Sequence, residues 1–138
     1  MRLLIDTNVF LEVILSQDRA SEASVFLQLA AAQHESFVSD FSVHSIGVFL
    51  LRRRQVLAFR DFLNDVVFRL GIGLKRLDEA DLALVCDVAE RFKLDFDDAY
   101  QYVAAKESDL VIVSYDSDFD GTDRGRKVPS DIRTEGAK

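Results

Sequence analysis

Cysteine and histidine are scarce in this chain, and each scarcity removes a class of chemistry. The single cysteine, Cys86, cannot close an internal disulfide or join a multi-thiolate metal site. Its place in the apolar helical pattern Leu82, Val85, Cys86, Ala89 predicts a core thiol. The two histidines, His34 and His44, lack zinc-ligand spacing, so any bound metal must be held by oxygen. No apolar stretch approaches the roughly 18 residues of a membrane span, and there is no secretory leader pattern. The expectation is a cytoplasmic protein with no membrane partner. Positive charge is also in deficit, with 17 Lys and Arg against 24 Asp and Glu and a net charge of −7. That balance argues against simple electrostatic wrapping of nucleic acid. Acids that converge on a divalent cation would reverse the sign locally, however, and would let an acidic protein act on phosphates.

What is present is a substantial apolar fraction, 49% of 138 residues, enough for one domain with a sizeable core. The opening string MRLLIDTNVFLE sets the pattern: Leu3-Leu4-Ile5 reads as a buried parallel strand, ends on Asp6, and leads into a helical pattern at Val9, Phe10, Val13 and Ile14. Spacing predicts a helix over 19–33, a short strand at Ser36-Phe37-Val38, and a helix capped by Asp40 or Ser42 that runs into Arg52-Arg53-Arg54. A further amphipathic stretch spans Val56 to Leu70, and Gly71-Ile72-Gly73-Leu74 predicts a strand. Helices follow from Asp78-Glu79 and around Asp98-Ala99, and Leu110–Val113 is a second core strand. This alternation predicts a three-layer α/β/α fold around a central, mostly parallel sheet of four to five strands. The expected organisation is one domain over residues 1–120 and a polar, partly disordered tail over 121–138, with an edge strand near Val128 before Pro129.

Three acids fall at equivalent places in such a fold: Asp6 and Asp116 after core strands, and Asp98 on the first turn of a helix. Parallel strands end on one edge, where open α/β sheets hold their ligands. Alternative roles remain at each position: Asp6 or Asn8 can cap the first helix, Asp97 can cap its own, and Asp118 can hold the turn before Phe119. Carboxylates gathered in a partly buried site repel unless protons, basic groups or cations compensate. Mg²⁺ or Mn²⁺, which prefer oxygen ligands, suit such a set and can activate water for attack on a phosphodiester.

Taken together, IDTNVFLE, SDFSVHS, LDFDDAYQYVAA and LVIVSYDSDF make the chain similar to PIN domains, the fold of many small ribonucleases, including VapC-type toxins of toxin–antitoxin pairs. The resemblance covers roughly residues 1–120. It implies a metal-dependent endoribonuclease with Asp6, Asp98 and Asp116 as catalytic metal ligands on Mg²⁺ or Mn²⁺ and RNA as substrate. It assigns supporting roles to Thr7, Asn8, Ser114, Asp118 and Asp97, and implies an antitoxin partner and a homodimer. The chain departs from the family where the second acid, a glutamate, usually stands: Ser45 or His44 occupies that place, with Asp40 or Glu12 as possible substitutes. A scaffold that binds RNA or a protein without cutting is therefore the alternative. Arg52, Arg53 and Arg54 read as a solvated helix end or as a contact for RNA or a partner.

Overall fold

The computed structural model describes residues 1–132. Four parallel strands form one sheet in the order β3-β2-β1-β4, so the first strand of the chain is central. These are β1 (Arg2–Ile5), β2 (Glu35–Ser39), β3 (Gly73–Lys75) and β4 (Val111–Val113). The helices are α1 (Thr7–Ile14), α2 (Ala20–Gln33), α3 (Asp40–Arg52), α4 (Val56–Phe62), α5 (Glu79–Phe92) and α6 (Phe96–Ser108).

Strand alternation separates the two faces of the sheet. Leu3 and Ile5 point into a core shared with Val9, Phe10, Phe26, Leu27, Ile46, Leu50 and Phe62, which belong to α1 to α4. Leu4, between them, packs on the other face with Ala104, Ala105, Leu110, Ile112 and Phe119. The helix pair α5 and α6 adds Val85, Ala99, Tyr102 and Val103 on that second side. The result is the expected α/β/α sandwich, with the ends of β1, β2 and β4 on one rim.

Several expectations change in detail. Cys86 is exposed, because α5 turns Val85, Val88, Ala89 and Phe92 toward α6 and leaves its opposite face to solvent. Helix α3 is capped by Ser39, whose Oγ accepts the Ser42 amide at 3.0 Å, rather than by Asp40 or Ser42. The stretch after Val56 divides into α4 and a π-helical segment, Leu63–Arg69, and the following strand starts at Gly73. Near Val128 there is no strand but a single parallel bridge from Lys127 to Val113, followed by a 3₁₀ turn at Pro129–Asp131. Ile132 is buried in the main core. Of the tail expected to be partly disordered over 121–138, the part up to Ile132 is folded onto the domain, and residues 133–138 lie outside the described residues.

Candidate active site

Asp6 is both helix cap and rim acid. Its Oδ1 accepts the Thr7 amide at 2.8 Å as N-cap of α1. The carboxylate is buried and receives further donors: Gln101 Nε2 at 2.8 Å on Oδ1, and Ser114 Oγ at 2.7 Å on Oδ2. Asn8 Nδ2 approaches Oδ2 at 3.4 Å and bonds Ser114 Oγ at 3.0 Å, while Asn8 Oδ1 accepts the Tyr115 amide. Thr7 reaches the other way, its Oγ1 lying 2.8 Å from Ser42 Oγ. Burial raises the Asp6 pKa, and the donors from Gln101, Ser114 and Thr7 only partly offset it.

Asp98, Asp116 and Asp118 form the metal-competent group. Each offers a carboxylate oxygen, and the three oxygens lie within 4.8 Å of one another. Asp6 does not join that group, although its charge is felt by Asp98. The placement has local causes. Asp98 sits on the first turn of α6 and is buried against the rim. Asp116 follows β4 and caps the 3₁₀ turn Ser117–Gly121 by accepting the Asp118 amide at 2.8 Å. That cap fixes the two loop acids relative to each other. Phe119, fully buried, anchors the turn beneath them.

The electrostatics of this group are unfavourable without a counter-charge. The Asp98 pKa is pushed up to about 8, first by burial, then by the charge of Asp116 and a carboxyl–carboxyl hydrogen bond with it, then by Asp6 and Asp97. Without a cation, burial and neighbouring charge thus favour a proton shared by the Asp98–Asp116 pair. A cation can take over that role. A hard divalent ion with oxygens at about 2.0–2.1 Å places opposite ligands roughly 4 Å apart, so oxygens within 4.8 Å need only a small closure. The donor set fits Mg²⁺ or Mn²⁺.

The remaining sequence candidates separate from this group. Asp97 is exposed beside Asp98 and does not cap α6, whose N-cap is Asp95. Asp40 is occupied elsewhere, accepting the Tyr100 hydroxyl at 2.6 Å and the Phe41 amide at 2.9 Å. Glu12 accepts the Arg19 amide at 3.0 Å and pairs with its side chain at 3.7 Å, tying α1 to the start of α2. His44 and Ser45 line a groove on α3 with Phe41, Val48, Phe49, Arg52 and Arg53. Arg52, Arg53 and Arg54 are exposed, with Arg53 stacked 3.5 Å over the Phe49 ring and bonded to the Phe49 carbonyl. Among the described residues, then, no side chain replaces the family's glutamate in the acid group.

Gln101 is the residue that sequence reading passed over. It is 1% exposed, and its amide bridges Asp6 to Ser42 Oγ at 2.9 Å, linking β1, α3 and α6. Its Oε1 is buried without a hydrogen-bond partner among the described residues. A polar residue one turn after Asp98, inside the buried run Asp98–Ala105, was the available signal.

The fold has close counterparts among solved structures. A toxin–antitoxin complex from Klebsiella pneumoniae superposes with a TM-score of 0.69 at 20% identity, covering 92% of this chain and 97% of that one. FitAcB from Neisseria gonorrhoeae gives 0.68 at 21% identity, covering 94% and 99%. FitAB bound to an IR36 DNA fragment gives 0.71 at 18% identity, covering 95% and 97%. No curated protein matches the chain. The PIN domain family model matches residues 3–125, nearly the whole described structure with its rim of acids, and the chain belongs to the PIN domain family.

Proposed function

We propose that the chain is a metal-dependent endoribonuclease that hydrolyses RNA phosphodiester bonds and serves as the toxin of a toxin–antitoxin pair. The observation that carries this reading is the set of carboxylate oxygens of Asp98, Asp116 and Asp118 within 4.8 Å of one another, at the rim where Asp6 ends the central strand. Asp98, Asp116 and Asp118 hold Mg²⁺ or Mn²⁺, with Asp6 as the fourth acid behind them. The bound ion supplies charge compensation and an acidified water for attack on phosphorus. Burial and the neighbouring acids favour the protonated form of Asp98, and a cation bound there would favour the carboxylate instead. Gln101, Ser114 and Thr7 orient the Asp6 carboxylate, and Asn8 ties the loop after β4 to the start of α1. Arg52, Arg53 and Arg54 face solvent, where RNA phosphates or an acidic partner can meet them.

The antitoxin partner is supported by the fold shared with the Klebsiella pneumoniae complex. Homodimerisation belongs to the same reading and is checked by sedimentation of the purified chain. RNA cleavage with added Mn²⁺, compared between wild type and Asp98→Asn, tests the chemistry. Cleavage by wild type and a loss of at least about 100-fold in the variant is the expected result. Equal activity in both removes the mechanism, and Mn²⁺-independent RNA binding without cleavage supports a non-cutting scaffold with Ser45 or His44 in the glutamate's place.

A further inference from the structure

Arg126 lies just beyond the loop that carries Asp116 and Asp118 and folds back onto it. Its guanidinium makes three hydrogen bonds: Nε to Asp120 Oδ1 at 3.1 Å, Nη2 to Asp120 Oδ2 at 3.2 Å, and Nη1 to the Ser114 carbonyl at 3.1 Å. Ser114 and Asp120 are the two ends of the loop that carries Asp116 and Asp118. One planar group therefore grips both ends. We propose that Arg126 is a positioning residue, a staple that closes the 114–120 loop and sets the spacing of its two metal-facing acids. This inference rests on the metal-site reading above.

Three observations support it. The staple is itself anchored: the Lys127 amide donates to Ile112 O at 2.8 Å, and the Lys127 carbonyl accepts the Ser114 amide at 2.9 Å, so the Arg126 backbone is fixed to β4. Its side chain is 16% exposed, whereas that of Asp120 is 58% exposed, so the arginine is the more firmly packed half of the pair. The loop also needs restraint, because it brings the carboxylates of Asp116 and Asp118 into the same small space, where like charges repel. Asp120 itself stands outside the acid group. Lysine cannot reproduce this fork, which joins a bidentate carboxylate contact to a third bond in one plane.

Charge alone and stapling predict opposite signs. A cation beside a metal site opposes metal binding, so removing the Arg126 charge tightens Mn²⁺ if electrostatics is its whole effect. If Arg126 acts by holding geometry, removing it loosens Mn²⁺, and outer partners of this kind are worth about 10–100-fold in affinity. Titration calorimetry with Mn²⁺ on the full chain should therefore show weaker binding for Arg126→Gln, with Arg126→Lys failing to restore it. Asp120→Asn should weaken binding less, and the double variant should be no worse than Arg126→Gln alone. Unchanged or tighter binding by Arg126→Gln overturns the staple. Hydrogen exchange of the metal-free protein supplies a second readout: the amides of Asp116 and Asp118 should exchange faster in Arg126→Gln, and unchanged exchange counts against the proposal. Absence of Mn²⁺ binding by wild type overturns the metal-site reading instead, and loop exchange then decides the staple.

Discussion

At the scale of single residues, Asp98 couples protonation to folding. Its pKa is about 8 in the folded chain against 3.8 for the free group, so the folded state holds a proton that the unfolded state has lost over that interval. Stability from this group is complete below about pH 4 and is lost as pH rises toward 8. In chelator, the melting temperature from this source should fall by roughly 3–10 °C between pH 5 and pH 9, read by circular dichroism. Asp98→Asn should flatten that slope and stabilise the metal-free protein at pH 9 by about 1–3 kcal/mol, because the amide keeps the shape without the charge. A slope unchanged by the substitution would mean that another group titrates. Gln101 is predicted to act in the opposite direction. Gln101→Leu strips a donor from a buried carboxylate and should cost about 1–3 kcal/mol in urea unfolding.

At the scale of elements, α3 and α4 meet closely at Gly47, where an added side chain would press on Phe59. A Cβ on Gly47 would stand 2.9 Å from Phe59 Cζ and 3.1 Å from Cε2. The ring has little room to yield, since Phe59 stacks on Phe62, which in turn meets Phe10 edge-on at 5.4 Å. Gly47→Ala should therefore destabilise the fold by about 1–2 kcal/mol in denaturant unfolding, despite the better helix propensity of alanine. Elements also show what the sequence made legible. The strands β1 and β4 followed from apolar runs, and the cap at Asp6 from an acid that ends the first of them, both local signals. The exposure of Cys86 did not, because α5 is covered on one side only and periodicity does not state how wide a buried stripe will be. The placement of Asp98 and Asp116 followed from strand ends and parallel topology. The contacts of Gln101 with Asp6 and of Arg126 with Ser114 depend on side-chain reach between elements, which no spacing rule encodes.

At the scale of the whole molecule, a cation held by acids that meet only in the folded chain would link metal binding to folding. Mn²⁺ at about 100 times its dissociation constant should add roughly 2.7 kcal/mol, or about 8 °C in melting temperature. Differential scanning calorimetry with and without chelator checks this, and Asp98→Asn should remove most of the gain. The central position of β1 has a consequence for synthesis. Its neighbours are β2 and the late strand β4, whose Val113 pairs with Ile5, and Asp98, Asp116 and Asp118 are all translated in the last third of the chain. A nascent or prematurely terminated product that stops before residue 98 carries Asp6 alone of the four rim acids. The acid group is therefore assembled only once α6 and the loop after β4 have joined the central strand, so a fragment ending before residue 98 serves as a metal-binding control: it should show no Mn²⁺ binding in titration calorimetry.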